Sequence, residues 1–214
     1  MKTALLLGAS GMTGNYLLHQ LLEHPEYKTV KIFVRKSLSM NHPKLVEFVV
    51  DFNQPESWQK EVSGDIAYSA FGTTLSTAGS KEKQWKIDHT YQLQFAQACE
   101  RNKVPVYVLI SSMGANKNSR FFYMKMKGDL DEQILRLSIP SIHILRPGSL
   151  KGDRKEYRSK EKRSLAILRF FNRMGLFRKY RAIHGNDLAK KMIQFGINDQ
   201  QKVIHEYPEI LKSN

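Results

Sequence analysis

Tyr123 and Lys127 form the pair of side chains in this sequence that is best suited to proton transfer. They stand four positions apart in a segment with the apolar spacing of a helix, so both would lie on one helix face. A free tyrosine has a pKa of about 10, and a neighbouring ammonium group stabilises its phenolate. We therefore predict that Tyr123 exchanges a proton with a bound oxygen while Lys127 lowers its pKa.

The position of this pair in the chain supports the interpretation more strongly than its spacing does. Tyr27 and Lys31 share the spacing but stand at the second predicted strand, where no substrate site is expected. Tyr123 instead follows a predicted strand that ends in Ser111 and Ser112. A serine at that place could hydrogen-bond the carbonyl group of a substrate. The predicted catalytic residues are Ser112, Tyr123 and Lys127.

A glycine-rich turn near the start of the chain predicts which ligand binds next to these residues. The apolar run from Lys2 to Leu7 leads into glycines spaced GxxGxxG, and leucines at helical spacing follow. A dinucleotide pyrophosphate needs this order of strand, turn and helix, because glycines admit the phosphates and a helix start offers free N–H groups. The spacing differs from the GxGxxG fingerprint. The predicted phosphate contacts are Gly8, Ser10, Gly11, Met12, Thr13 and Gly14.

Two cations at the end of the second predicted strand indicate which dinucleotide is bound. Arg35 and Lys36 stand where an NAD-specific site carries an acidic residue for the ribose. A 2′-phosphate would pair with Arg35, so the sequence favours NADPH over NADH. A solvated charge at a strand end is the alternative. Asp51 and Phe52, after the third strand, are predicted to contact the adenine.

The ends of later strands complete the predicted cofactor site. A glycine and two hydroxyl residues end the fourth strand, where they could let the backbone pass close to the cofactor, although a plain turn is equally consistent. Strand alternation leaves open which of Ser111 and Ser112 faces the cleft. The further predicted contacts are Phe71, Gly72, Thr73, Thr74, Ser111, Tyr123, Lys127, Arg146 and Pro147.

Length and composition predict one soluble α/β domain spanning 1–214. The 214 residues can bury a full core, and 41% hydrophobic and 25% charged residues are ordinary for a soluble protein. The single cysteine excludes an internal disulfide, and no residue cluster has the spacing of metal ligands. No segment is long enough for a transmembrane helix, and the first apolar run is too short for a secretory signal. The expected compartment is cytoplasmic.

The net charge of +14 is concentrated in one segment, 151–181, which has 12 Lys and Arg against 3 Asp and Glu. We interpret 149–181, with a helix over 161–173, as a wall or lid on the substrate side. An interfacial helix on an anionic membrane or in the groove of a protein partner is an alternative, and so is a solvated basic face. A specific nucleic-acid partner is not expected, because no known binding motif is present. The oligomeric state stays open.

Taken together, these motifs resemble an atypical short-chain dehydrogenase/reductase, and most closely the HIV Tat-interactive-protein-like oxidoreductases. The matching residues are GASGMTG at 8–14, Arg35, Val50-Asp51-Phe52, Gly72-Thr73-Thr74, Ser111-Ser112-x-Gly114-Ala115, Tyr123-xxx-Lys127 and Arg146-Pro147-Gly148, and the resemblance extends to about Asp187-Leu188-Ala189.

This resemblance implies a Rossmann-like, doubly wound α/β fold: a mostly parallel sheet with helices on both faces. It also implies bound NADPH and a Ser-Tyr-Lys group that reduces a small-molecule carbonyl substrate. Members of this group are also discussed as redox-responsive regulators. The alternative function is therefore an NADPH-binding regulator that meets a protein partner without turnover.

Overall fold

A parallel seven-stranded sheet forms the centre of the structure, a computed structural model that describes residues 1–151, 182–198, 201–207 and 209–212. Its strand order is β3-β2-β1-β4-β5-β6-β9, and every neighbouring pair is parallel. The strands are β1 (Lys2–Leu7), β2 (Tyr27–Val34), β3 (Leu45–Val49), β4 (Ile66–Ser69), β5 (Val106–Ile110), β6 (Ser141–Arg146), β7 (Leu150–Lys151), β8 (Ile183–His184) and β9 (Lys202–Glu206). Strands β7 and β8 pair separately. The predicted Rossmann-like fold is confirmed.

Helices cover both faces of the sheet. They are α1 (Met12–Glu23), α2 (Leu75–Ala78), α3 (Lys81–Trp85), a π-helical turn (Lys86–Thr90), α4 (Tyr91–Arg101), α5 (Phe122–Leu135), α6 (Gly185–Asn198) and α7 (Glu209–Lys212), with 3₁₀ turns at Pro55–Ser57 and Gln59–Glu61. Side chains of β1 alternate between the faces: Leu6 packs in the cluster with α1 and α6, whereas Leu5 and Leu7 pack with α4 and α5. The result is two cores separated by the sheet.

The apolar spacing of the sequence predicts one continuous helix over 81–101, and the π-helical turn Lys86–Thr90 interrupts it. The sequence pattern could not reveal this, because apolar spacing continues on both sides of the turn. The wider turn carries two polar residues, Asp88 and His89, whose side chains are buried. π-helical turns of this kind occur frequently at functional sites.

The basic segment predicted at 149–181 falls almost entirely outside the described residues, as does its helix over 161–173. Only its first three positions are described, and Leu150 and Lys151 form the short strand β7. The lid, the interfacial helix and the extent of the domain therefore stay predictions.

Gly128 lets α5 approach the loop that follows β5. A Cβ atom at this position would overlap the backbone of Asn116 and Lys117. The close approach is held by a 3.0 Å hydrogen bond from the Asn116 backbone N–H to the Met124 carbonyl oxygen. Ser112 is the second residue of this loop and Tyr123 lies in the first turn of α5, so the close approach at Gly128 helps to bring these two residues together.

Replacing Gly128 by alanine should destabilise the fold, although alanine is the better helix former. The added methyl group must displace backbone atoms, and overpacking of this kind costs about 2 kcal/mol. Thermal unfolding should show a Tm lower by roughly 5 °C. Gly148→Ala is the matched control, because a Cβ there would meet no atom within 4 Å. Equal Tm values for the two variants would contradict the close approach.

Candidate cofactor and active site

Two glycines determine the conformation of the turn between β1 and α1. Gly8 has a φ of 97°, and a Cβ there would lie 2.6 Å from the carbonyl carbon of Ala70 in the loop after β4. A Cβ on Gly14 would overlap the carbonyl oxygen of Gly8. The N-cap of α1, Gly11, offers no capping side chain. The turn therefore fits a pyrophosphate, because the first N–H groups of α1 receive no side-chain cap from that position.

Other predicted phosphate contacts lie in the same turn with different exposure. Ser10 is exposed and Met12 is partly exposed, so both can reach a ligand above the turn. The side chain of Thr13 is buried, and only its backbone remains as a phosphate contact.

Ser112, Tyr123 and Lys127 come together between the end of β5 and the first turns of α5. The Ser112 hydroxyl lies beside the Tyr123 phenol, and it donates a 3.3 Å hydrogen bond to the Met113 carbonyl oxygen. Lys127 is only 4% exposed, one helical turn beyond Tyr123 on α5. Ser111 is buried and its hydroxyl faces the Asp131 carboxylate instead. Of the two serines, Ser112 is thus the one beside Tyr123.

Burial raises the pKa of Tyr123 above its ordinary value of 10.0. The positive charge of Lys127 and the neighbouring Ser112 hydroxyl lower this pKa, and the carboxylates of Asp88 and Asp131 raise it. Lys127 thus acts in the predicted direction, but burial is the larger effect. The phenol keeps its proton at neutral pH, which is the form that can act as an acid.

Asp88 is a buried carboxylate that sequence reasoning did not assign to this site. It is 1% exposed, and its Oδ1 accepts a 2.6 Å hydrogen bond from the Thr73 backbone N–H. Burial raises the pKa of Asp88, while the charge of Lys127 and the Thr73 N–H lower it. Asp88 therefore links the predicted cofactor loop to Lys127. The only sequence sign of this role is an acidic residue inside an otherwise regular helical pattern.

The loop after β4 lies at the same edge of the sheet. Gly72 is exposed, and Phe71 and Thr73 are partly buried. Both backbone polar groups of Thr73 are hydrogen-bonded. Its N–H donates to Asp88, and its carbonyl oxygen accepts a 3.3 Å hydrogen bond from Gln84. Thr74 caps α2 by accepting from the Thr77 N–H at 3.2 Å. Gly72 is therefore the position of this anchored loop whose backbone is exposed.

Arg146 and Pro147 have partners that sequence reasoning did not foresee. The Arg146 guanidinium donates to Asp131 Oδ2 from Nε at 2.9 Å and to Glu206 Oε1 from Nη1 at 2.7 Å. The Arg146 charge is therefore paired with carboxylates of the protein. The position of the side chain does not support the predicted cofactor contact. Pro147 is buried, and its carbonyl oxygen accepts from the Met113 N–H.

The predicted adenosine contacts divide into exposed and buried groups. Arg35 and Lys36 are exposed directly after β2, and neither forms an ion pair with another described residue. Asp51 is exposed after β3. The Phe52 ring is 2% exposed and packs 5.6 Å from Trp58, so it belongs to the core and does not flank a ligand at the surface.

Two further classes of site are absent from the described part of the chain. No group of three or more His, Cys, Asp or Glu side chains there could hold a metal ion. No helix within those ranges combines the length and the apolar character needed to cross a membrane.

Comparison with known proteins gives the family. Residues 8–166 match the model of the NAD(P)H-binding family. The chain belongs to this family. The broader part of the predicted resemblance, an NAD(P)-binding protein with a Rossmann-like fold, is thereby confirmed. The finer HIV Tat-interactive-protein-like assignment is not confirmed and stays a prediction.

Individual relatives and fold neighbours agree with this family. "Protein fmp52, mitochondrial" of Aspergillus fumigatus is 39% identical over 179 residues, which cover 79% of this chain and 74% of the relative. "Protein FMP52, mitochondrial" of Eremothecium gossypii is 30% identical over 217 residues, covering 97% and 95%. The Bordetella bronchiseptica enzyme WbmH, solved in complex with NAD⁺, shares the fold with a TM-score of 0.72 at 13% identity, covering 97% of this chain and 75% of WbmH.

The names of these relatives contradict the predicted cytoplasmic compartment. Both fungal proteins are described as mitochondrial. The sequence argument rested on the lack of a recognisable targeting segment and of disulfides. That prediction is wrong, because neither observation distinguishes the cytoplasm from other reducing compartments.

Replacing Lys127 by methionine should lower stability more at pH 7 than at pH 5. Burial raises the folded-state pKa values of Asp88 and Asp131, and Lys127 opposes this. Without the ammonium group, Asp88 is charged and uncompensated at pH 7 while Asp131 keeps only Arg146 as its partner, at a cost of about 3 kcal/mol. A carboxyl with a raised pKa binds more protons when folded, so its unfavourable contribution fades as the pH falls.

Denaturant unfolding of the variant and the wild type at both pH values measures this difference. Lys125→Met is the matched control, since Lys125 is exposed on the same helix. An equal loss at pH 7 and pH 5 would show that Lys127 does not compensate the buried carboxylates.

Proposed function

We propose that this protein is an NADPH-dependent reductase of carbonyl compounds, of the atypical short-chain dehydrogenase/reductase type. The observation that carries the proposal is that Ser112 lies beside Tyr123, with the buried Lys127 one helical turn away. This group and the glycine turn after β1 both lie at the carboxyl edge of the parallel sheet, where ligands of such folds bind.

The reaction follows from the protonation state of Tyr123. When bound, the reduced nicotinamide supplies the hydride for the carbonyl carbon. Ser112 orients the carbonyl oxygen by a hydrogen bond, and the Tyr123 phenol donates its proton to that oxygen. The buried ammonium of Lys127 then stabilises the phenolate that remains. The product is an alcohol, formed by one hydride and one proton.

The preference for NADPH is supported by the charges after β2. Arg35 and Lys36 are exposed, and the turn behind them is held by Glu47, whose Oε1 accepts a 2.8 Å hydrogen bond from the Leu38 N–H. A planar guanidinium on an anchored turn suits a ribose 2′-phosphate. Because the fungal relatives are named mitochondrial proteins, we also propose that the chain works in mitochondria.

Tyr123→Phe should abolish carbonyl reduction and leave NADPH binding intact. Loss of the proton donor should lower kcat by at least about 100-fold, while the Kd for NADPH changes less than about twofold, because phenylalanine keeps the ring. Tyr107→Phe, which removes a hydroxyl from the core, is the control and should keep its activity. Wild-type protein that binds NADPH but reduces no carbonyl would favour the regulator without turnover.

Arg35→Ala should remove the preference for NADPH. Losing a charge-assisted hydrogen bond to the 2′-phosphate should weaken NADPH binding by about 10- to 100-fold, with NADH binding unchanged. Parallel fluorescence titrations with both nucleotides measure this. Lys28→Ala, an exposed lysine at the opposite end of β2, should alter neither affinity. A variant that still prefers NADPH would refute the assigned 2′-phosphate contact.

A further inference from the structure

Three large apolar side chains remain exposed in the loops beside the Ser112–Tyr123–Lys127 group. Leu75 is 46% exposed, Phe121 is 44% exposed and Leu150 is 38% exposed. We call these three residues the apolar rim. They follow β4, β5 and β6, which are neighbours in the sheet.

The rim residues share one edge of the molecule. Parallel strands end at the same edge and lie about 4.8 Å apart, so the loops after three adjacent strands begin within about 10 Å of each other. Ring contacts connect two of these loops directly: the Phe122 ring lies 6.1 Å from Trp85 on α3, and Lys81 Nζ lies 5.6 Å from the same ring. Helix α3 in turn packs against α2, which begins at Leu75.

Two rim residues stand close in the chain to residues of the proposed reaction site. Phe121 is two residues before Tyr123, at the N-cap of α5. Leu75 follows the loop that Asp88 anchors through Thr73. A carbonyl group held by Ser112 and Tyr123 would therefore direct its substituent toward the rim.

This placement differs from scattered surface exposure. Isolated apolar residues on a surface are ordinary, but several at the mouth of one site indicate a ligand contact. The other large apolar residues exposed in the described ranges are Met1 at the terminus and Val46 and Val49 on the edge strand β3. None of these three follows a strand end next to Ser112.

We propose that the substrate carries an extended apolar substituent on its carbonyl carbon, an alkyl chain or an aromatic ring, which Leu75 and Phe121 contact. This inference rests on the proposed function and names its substrate class. The polar groups of the site bind the carbonyl oxygen, and the rim covers the remainder of the molecule. Discrimination between carbonyl compounds then depends on the length of the apolar part.

Reduction of butanal and octanal with NADPH tests this specificity. Each methylene group that is buried on one side should contribute about twofold to kcat/KM, less than a fully buried one would. From butanal to octanal, kcat/KM should therefore rise about tenfold, mainly through a lower KM. Leu75→Ser and Phe121→Ser should reduce this ratio toward one, because octanal loses its contact with the rim while the shorter butanal loses less. Val49→Ser is the matched control, because Val49 is 59% exposed on β3, and it should keep the wild-type ratio.

A binding measurement separates this inference from the proposed function. Butanamide and octanamide cannot accept a hydride, and their affinities for the NADP⁺-saturated protein can be measured by calorimetry. Octanamide should bind about tenfold more tightly, and Phe121→Ser should erase the difference. Equal amide affinities would overturn the inference even if aldehydes are reduced. Tighter octanamide binding without reduction of any aldehyde would support the rim and refute the reductase.

Lipid binding distinguishes a surface contact from a substrate contact. Vesicles of phosphatidylcholine with phosphatidylserine provide the probe. If Phe121→Ser weakens vesicle binding and leaves the ratio of octanamide to butanamide affinity unchanged, the rim contacts lipid and the inference fails. If vesicle binding is unaffected and the ratio falls, the substrate contact stands.

Discussion

The buried ammonium group of Lys127 is the constraint around which the site is built. A charge that is 4% exposed must be compensated within the protein, and the carboxylates of Asp88 and Asp131 carry the opposite charge in the same buried region. Each carboxylate holds a further element. Asp88 accepts from the backbone of the loop after β4, and Asp131 pairs with Arg146 at the end of β6.

This charge network connects parts of the chain that are far apart in sequence. Arg146 continues the network to Glu206 on β9, the last strand of the sheet. A change in any one of these groups therefore alters the surroundings of Tyr123, whose pKa depends on burial, on Lys127 and on both carboxylates. Such a network favours one protonation state of the Tyr123 phenol.

Backbone packing gives this network its geometry. Gly128 brings α5 against the loop after β5, and the π-helical turn at Lys86–Thr90 places Asp88 inward. In the same way, Gly8 brings the turn after β1 close to the loop after β4, and Gly14 brings the start of α1 close to Gly8. The polar groups thus lie on the inside of one edge of the sheet, with apolar side chains at its mouth.

The sequence by itself determined the features that depend on neighbouring residues. These are the strand and helix order, the glycine turn, the shared helix face of Tyr123 and Lys127, and the cations after β2. Each follows from local backbone preferences or from periodicity, which act over a few residues. The predicted Rossmann-like sheet is confirmed for that reason.

Only the tertiary structure decided which side chains meet. It placed Ser112 beside Tyr123 and turned Ser111 toward Asp131, it used Arg146 in ion pairs, and it buried Phe52 in the core. It also placed Asp88 in the site, which no sequence motif predicted. Some of these contacts join residues that are dozens of positions apart in the chain. Arg146 and Glu206, for example, are 60 positions apart. Local sequence cannot encode which of several charged neighbours a side chain meets, because that depends on how distant strands and helices pack.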